Sequence, residues 1–246
     1  MINELTSLVL SVLAAFIVLP IHELAHGYAA YKLGDPTAKD MGRLTINPLK
    51  HLDLVGALSL IVFHFGWAKP VPVNLRNLKN PKRDFALIAL AGPISNLLLA
   101  FFAVPLWLSL RILFINTFIE GAFLTRFLRI LLDFVGIFHL INLGLALFNL
   151  LPVPPLDGSR VLTAFLPPRA NLWIAENQMK IYIGLLAWLF AGDIFANGLM
   201  SLPFAAQSPI IPIIASILSL SDLLSIVSSA LSDLMFSLWE LIPAVR

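Results

Sequence analysis

The chain of 246 residues contains no cysteine and has few charged residues. Without cysteine it can form neither disulfides nor thiolate ligands, so any zinc ion would have to be held by histidine and carboxylate side chains. Charged residues make up 12% of the sequence, about half the share found in soluble proteins, whereas 59% of the residues are apolar. This composition excludes an ordinary soluble domain and predicts an integral membrane protein. The net charge of +2 is too small to indicate a nucleic-acid partner.

Long runs without a charged residue predict several helices that cross the ~30 Å hydrocarbon core of a bilayer. The runs comprise 26 residues between Asp84 and Arg111, 23 between Asp133 and Asp157, and 28 between Asp193 and Asp222. Another run begins near the N-terminus, but no Lys or Arg occurs before Lys32 and no clear cleavage site follows. We therefore expect a retained first helix rather than a signal peptide.

The predicted fold is an all-α polytopic membrane protein with about five to six membrane helices. Helices are expected at about residues 3–33, 85–110, 131–151 and 179–200, with one or two more between 209 and 242. Between the first two helices, alternating β-branched residues predict short strands at 43–47 and 71–75. The apolar stretch Val55 to Phe65 is too short to cross a bilayer, so it predicts a re-entrant or interfacial element. Residues 1–246 are expected to form a single domain, with a catalytic core at about 3–170 and C-terminal helices at about 171–246.

Basic residues are concentrated between the first two helices. This loop contains eight of the sixteen Lys and Arg residues: Lys39, Arg43, Lys50, Lys69, Arg76, Lys79, Lys82 and Arg83. By the positive-inside rule the loop is cytoplasmic, which places the N-terminus outside. We expect the membrane to be a prokaryotic cell membrane. Contact of the loop with anionic lipid headgroups would be compatible with the same placement.

A His-Glu-x-x-His motif, His22-Glu23-Leu24-Ala25-His26, lies near the end of the first helix. Residues four apart lie about 40° apart around a helix and one turn apart along it, so both imidazoles can bind one metal ion. Glu23 is offset by about 100° and can reach a water molecule on that metal, as zinc-dependent peptide hydrolysis requires. The alternative is that these side chains pair with neighbouring helices, although buried polar groups in a bilayer are costly without a function.

Asp157 is the candidate third ligand. It follows a helix break made by Pro152, Pro154 and Pro155, where irregular backbone in a membrane must be lined by protein or by a water-filled cavity. Two histidines, one carboxylate and an open position for water make up the stoichiometry of a catalytic zinc site. Asp157-Gly158 can also be read as an ordinary turn signal.

Two further polar residues lie within predicted membrane helices. Asn96 follows Gly92 and Pro93, and an interhelical hydrogen bond is the simplest role for its amide. His139 forms a polar stripe with Asn142 and Asn149 and is either a fourth ligand or a packed interior histidine. The sequence assigns no role to His64.

These residues, in this order, resemble the site-2 protease family of intramembrane zinc metalloproteases over roughly residues 10 to 170. The matching segments are His22–His26, Gly42–Pro48, Gly66–Asn74, Gly92–Asn96 and Phe148–Gly158. The resemblance implies one Zn²⁺ per chain on His22, His26 and Asp157, with Glu23 as the general base. It also implies that Asn96 lies near the bound peptide, and that the substrate is a transmembrane segment of another protein, cleaved within the lipid bilayer.

The chain departs from the family pattern in two respects. Pro154 stands where many members carry Asn, so the role of that Asn does not transfer, and no stretch is expected to form a PDZ or cystathionine-β-synthase domain. The chain thus resembles a minimal form. The rival hypotheses are a zinc-binding pseudoprotease without hydrolytic activity and an ion transporter, although a proton carrier would not need Glu directly after the first His.

Overall fold

The computed structural model describes residues 3–51, 53, 56, 69–117, 122–201, 208 and 210–241, and the regular elements in this part of the chain are all helical. The helices are α1 (Glu4–Lys32), α2 (Thr37–Asp40), α3 (Pro48–His51), α4 (Pro81–Thr117), α5 (Ala122–Leu150), α6 (Asp157–Phe165), α7 (Pro168–Met200), α8 (Ile211–Leu218) and α9 (Leu220–Glu240). A 3-10 turn spans Leu75–Asn77.

Five of the described helices, α1, α4, α5, α7 and α9, are long and apolar enough to cross a membrane. The prediction of a polytopic helical protein with five to six membrane helices is therefore confirmed for the described residues. Helix α5 begins earlier than the predicted residue 131. Its added first turns include Arg129, which forms an ion pair with Asp133 one turn later at 3.4 Å.

Helices α1, α4 and α5 pack together, and α9 lies against α4 and α5. One apolar cluster joins Ala100, Val104 and Leu108 of α4 to Leu143 of α5 and Met235 of α9. Since these side chains come from three helices, their burial ties the last membrane helix to the helices that carry the polar motifs.

A proline inside α4 creates a second link to α9. Pro105 has no N–H, so the carbonyl of Phe101, four residues earlier, loses its partner within the helix. The indole Nε1–H of Trp239 donates to this carbonyl at 3.0 Å. A carbonyl left free in a membrane helix is thus satisfied by a neighbouring helix.

The predicted strands at 43–47 and 71–75 are wrong, since the described part of the chain contains no strand. Residues 43–47 are irregular and bend at Thr45, whose N–H donates to the carbonyl of Arg43. The second stretch has irregular backbone up to the 3-10 turn that begins at Leu75, and Pro70 and Pro72 lack the N–H groups that a β-ladder would use. The predicted re-entrant segment Val55 to Phe65 lies outside the described residues except for Gly56, and so does His64.

Candidate metal centre

The two histidines of the motif lie side by side on α1. Both side chains are buried, and Nε2 of His22 lies 3.0 Å from Nε2 of His26. Their rings meet edge to face, with centroids 4.6 Å apart. Because the two residues are four apart on one helix, their Nε2 atoms converge on the same point.

Asp157 completes a group of three at this point. Its Oδ2 atom lies 3.2 Å from Nε2 of His22 and 3.1 Å from Nε2 of His26. A carboxylate binds a metal ion in its ionised form, so this group offers one carboxylate oxygen and two imidazole nitrogens to such an ion.

The tight return of the chain after α5 places Asp157 at the first position of α6. At Gly158, a Cβ atom would lie within 2.5 Å of the Leu151 carbonyl oxygen and even closer to that of Leu150, so a side chain does not fit there. The glycine after Asp157 thus lets α6 start directly against the end of α5. The Asp157-Gly158 pair therefore allows the tight return of the chain, and its Asp157 carboxylate also contacts the two histidines of α1.

The three donor atoms fit a zinc ion in chemistry and in spacing. His22, His26 and Asp157 are the one group among the described residues that brings three possible ligand atoms together. Their mutual distances of 3.0 to 3.2 Å are close to the ~3.4 Å that separates neighbouring ligand atoms about 2.1 Å from a tetrahedral zinc ion. Three atoms bearing lone pairs repel at such distances unless protons or a cation lie between them.

Gly92 of α4 faces the same point. A Cβ atom on this residue would lie 2.6 Å from Nε2 of His22 and closer still to Nε2 of His26. Any side chain at position 92 would therefore occupy the space that a metal ion requires. Because Gly92 has no side chain, α4 can lie close to His22 and His26 and leave space beside their Nε2 atoms.

A backbone carbonyl of α4 orients the second imidazole. Nδ1 of His26 lies 2.7 Å from the carbonyl oxygen of Ile88, which fixes the proton on Nδ1 and leaves the lone pair of Nε2 for a metal. The other histidine differs, since Nδ1 of His22 is buried and has no hydrogen-bond partner among the described residues.

Glu23 contacts the backbone of the segment at residues 69–74, which precedes α4. Its Oε2 accepts a hydrogen bond from the N–H of Val71 at 2.9 Å. The segment is held at both ends by buried charged residues. Nη2 of Arg43 donates to the carbonyls of Lys69, at 2.6 Å, and of Pro70, at 3.3 Å.

Asp35 anchors the far end of the same segment. Its carboxylate accepts hydrogen bonds from the side chain and N–H of Thr37, from the N–H of Asn74, and from Nδ2 of Asn77. Burial raises the pKa of this carboxyl, but these hydrogen bonds outweigh it and hold the pKa below its ordinary value. The end of α1 and residues 74–77 are thereby joined outside the membrane-spanning part of the helix.

The two other predicted polar residues lie apart from the three donor atoms. Asn96 is fully buried one turn after Gly92, and its Nδ2 has no hydrogen-bond partner among the described residues. His139 is packed in the interior, with Nδ1 2.9 Å from the carbonyl of Ala100 and Nε2 2.9 Å from Oγ of Ser232. With both ring nitrogens engaged, His139 has no lone pair to offer as a fourth ligand.

Several residues around the centre were not identified from the sequence. The hydrogen bonds of Ile88, Arg43 and Val71 join segments that are far apart in sequence, so no local sequence pattern predicts them. Arg160 was also missed; its Nη1 lies 3.8 Å from Oδ1 of Asp157, and its guanidinium lies over the ring of Phe85 at 5.1 Å. Its spacing of three residues from Asp157 on a helix could have suggested this contact.

The fold and the centre define a class: multi-pass helical membrane proteins with a buried group of two histidines and a carboxylate that could hold a metal ion. Comparison with known proteins is more specific. The chain matches the model of "Peptidase family M50" over residues 10–191. The chain belongs to this family, which confirms the resemblance to the site-2 proteases.

Relatives from bacteria and archaea agree with this assignment. The chain is 45% identical over 172 residues to "Putative zinc metalloprotease YwhC" of Bacillus subtilis, a match covering 69% of this chain and 74% of the relative. It is 34% identical over 142 residues to "Putative zinc metalloprotease MJ0611" of Methanocaldococcus jannaschii, covering 57% and 62%. It is 31% identical over 159 residues to "Putative zinc metalloprotease Rip2" of Mycolicibacterium smegmatis, covering 63% and 56%. No solved structure matches the chain significantly.

Proposed function

We propose that this chain is an intramembrane zinc endopeptidase that cleaves a membrane-spanning segment of other proteins. One observation carries the proposal: His22, His26 and Asp157 bring three ligand atoms to one buried point beside membrane-length helices. The family membership and the names of the relatives, which include the words zinc metalloprotease, support the same reaction.

In this proposal His22, His26 and Asp157 hold one zinc ion, and Glu23 is the general base. When bound, zinc lowers the pKa of a water molecule towards 7 and polarises the scissile carbonyl. Glu23 accepts the proton of the attacking water and later delivers it to the leaving amine. The N–H of Val71 holds Oε2 of Glu23, which leaves Oε1 for this proton transfer.

The surroundings of the centre favour a membrane-embedded substrate. Large apolar side chains such as Leu13, Phe16 and Ile17 are exposed on α1 just before the motif, as expected of a surface that faces lipid. The carbonyls of a substrate helix are engaged in hydrogen bonds, so the helix must unwind locally before attack. We propose that Nδ2 of Asn96, which has no hydrogen-bond partner among the described residues, donates a hydrogen bond to the unwound peptide.

Co-expression with a single-span membrane protein tests the proposal. Glu23→Gln keeps the size of the side chain but cannot accept the proton, so cleavage is expected to fall at least ~10²-fold, the usual range for a general base. Glu4→Gln, the same exchange on an exposed residue of α1, is the matched control and should leave cleavage unchanged. Immunoblotting of the substrate fragments measures the effect.

Removal of the metal provides the second arm. A strong zinc chelator applied to detergent-solubilised protein should abolish cleavage, and added zinc should restore it. Cleavage that persists in Glu23→Gln or under chelation contradicts the hydrolytic mechanism. Zinc binding without any cleavage by the unaltered chain would favour the pseudoprotease, and cation flux that requires His22 and Asp157 would favour the transporter.

We also propose that the N-terminus lies outside a prokaryotic cell membrane and that the metal centre lies toward the cytoplasm. Eight described basic residues follow α1 and precede or begin α4, at the end of α1 that carries the motif. Because the chain lacks cysteine, single variants report topology directly. An impermeant maleimide should label Glu4→Cys on intact cells and Lys79→Cys only after lysis, and the reverse pattern would contradict this orientation.

The helices after residue 170 are proposed to belong to the same domain as the catalytic core at residues 3–170. The packing of Met235 between α4 and α5, and the hydrogen bond from Trp239 to Phe101, support this. A chain cut between residues 202 and 207 and expressed as two pieces should therefore co-purify, whereas independent pieces would indicate two domains.

A further inference from the structure

Residues 70–72 present a single backbone donor to the candidate active site. Proline has no N–H, so in the sequence Pro70-Val71-Pro72 only Val71 can donate a backbone hydrogen bond. That one N–H is directed at Oε2 of Glu23, at 2.9 Å. A hydrogen bond to a carboxylate is among the stronger ones in proteins, and it fixes the direction in which the carboxylate points.

Arg43 determines where this N–H lies. Its guanidinium is buried, and the same nitrogen, Nη2, donates to the carbonyls of Lys69 and Pro70. The Pro70 carbonyl and the Val71 N–H belong to one planar peptide unit, so fixing the carbonyl fixes the N–H as well. Arg43 thereby acts on the orientation of Glu23 through one peptide plane.

Two other contacts keep the segment close to α1. At Gly27, a Cβ atom would lie 3.2 Å from Cγ1 of Val71 and 2.7 Å from Cδ2 of Leu44, so the glycine allows close approach next to His26. At the other end, the Asp35 carboxylate accepts the N–H of Asn74 at 2.7 Å. The segment is thus held on both sides of Val71.

We propose that Arg43 is a positioning residue for the general base: it holds the Pro70–Val71 peptide plane so that the Val71 N–H orients Glu23. This inference rests on the proposed function, because it gives Arg43 a part in the same reaction. In the described contacts, Arg43 bonds to the carbonyls of Lys69 and Pro70 and to none of His22, His26 and Asp157. Its loss is therefore expected to lower kcat by about 10- to 100-fold while KM and zinc content stay within about 2-fold.

Hydrogen–deuterium exchange tests the first half of the proposal independently of cleavage. In the full-length, zinc-loaded protein, exchange within residues 70–72 comes from the Val71 amide alone, which makes its signal unambiguous. Arg43→Gln should accelerate exchange at Val71 by at least ~10-fold, the effect of losing a charge-assisted hydrogen bond. The Asn74 amide, held by Asp35, should keep its protection.

Kinetics with three variants test the second half. Arg43→Gln should lower kcat and leave KM unchanged. Arg43→Lys should recover at least about a third of the lost activity, because one ammonium can donate to both carbonyls as Nη2 does. Arg76→Gln removes an exposed positive charge from the same segment and should behave like the unaltered protein.

If Arg43→Gln fails to fold, two amino-acid substitutions at position 71 test the proposal instead. Val71→Pro removes the N–H and should lower kcat as Arg43→Gln does, whereas Val71→Ala shortens the side chain, keeps the N–H and should retain most activity. Equal loss in both Val71 variants, unchanged kcat in Arg43→Gln, or no rescue by lysine would overturn the positioning role. If the unaltered chain does not cleave, the proposed function fails, and the exchange experiment still decides whether Arg43 holds Val71.

Discussion

Two histidines on different helices, His26 on α1 and His139 on α5, contact backbone carbonyls of the same helix, α4, but differ in their other surroundings. Nδ1 of His26 lies 2.7 Å from the carbonyl of Ile88 and Nδ1 of His139 lies 2.9 Å from the carbonyl of Ala100, both on α4. The two carbonyls are twelve residues apart, which is about 18 Å along a helix. Each imidazole is therefore oriented by a buried backbone oxygen, and the difference lies entirely at Nε2.

At His26 the second nitrogen meets Nε2 of His22 and Oδ2 of Asp157, whereas at His139 it meets the hydroxyl of Ser232. A hydroxyl can donate a proton to the lone pair of Nε2 and satisfy it. A carboxylate and a second imidazole cannot both do so, and a cation is the group that satisfies all three. The partner of Nε2 thus distinguishes the candidate metal centre from a packed histidine in the same bundle.

Substituting each histidine in turn should give the largest difference in zinc binding between the two sites. His26→Ala removes one of three proposed ligands, so zinc affinity should fall by more than the ~10- to 100-fold that loss of an outer-shell partner costs. His139→Ala should leave about one zinc per chain. Inductively coupled plasma mass spectrometry on the purified proteins measures both, and equal zinc loss in the two variants would show that the histidines do not differ in role.

Space on α4 provides the next test. Gly92→Ala places a methyl group against His22 and His26 and should lower zinc affinity about 10-fold or more without removing any donor atom. Gly144→Ala on α5 is the matched control, since a Cβ atom there would meet nothing within 4 Å. Competition with a fluorescent zinc chelator measures affinity, and unchanged affinity in Gly92→Ala would place the metal elsewhere.

The smallest expected effect lies at the packed histidine. Ser232→Ala leaves Nε2 of His139 without its partner and should destabilise the folded protein by about 1 kcal/mol, with zinc content unchanged. Ser225→Ala is the control, because this residue is exposed and its hydroxyl donates, among the described residues, to the carbonyl of Asp222 in its own helix. Unfolding in detergent micelles, followed by tryptophan fluorescence, compares the two; zinc loss in Ser232→Ala would overturn the separation of the two sites.

Local patterns in the sequence predicted the membrane helices and the residues at the core of the candidate site. The charge-free runs predicted the membrane helices, and the four-residue spacing of His22 and His26 predicted their common face. Asp157 was predicted from its helix break, 131 residues after His26. The structure brings Asp157 to the two histidines, and their role as zinc ligands stays a prediction.

What the sequence could not predict depends on contacts between distant segments. The β-branched residues around Val71 suggested a strand, but the flanking prolines and the hydrogen bond to Glu23 leave its N–H no place in a ladder. The anchor of His26 on Ile88, and that of His139 on Ser232, arise only when α1, α4, α5 and α9 pack. Long apolar runs predict where the membrane helices lie, but they do not predict which polar atoms come into contact when the helices pack.

Zinc titration of purified protein, with substrate cleavage followed in the same sample, tests the central claim most directly. The unaltered chain, stripped of metal, should gain activity in proportion to bound zinc up to one ion per chain, and Glu23→Gln should bind the same amount without cleaving. Asp157→Ala should bind zinc too weakly to reach this stoichiometry. Full cleavage by the metal-free protein, or full zinc binding by Asp157→Ala, would contradict the account.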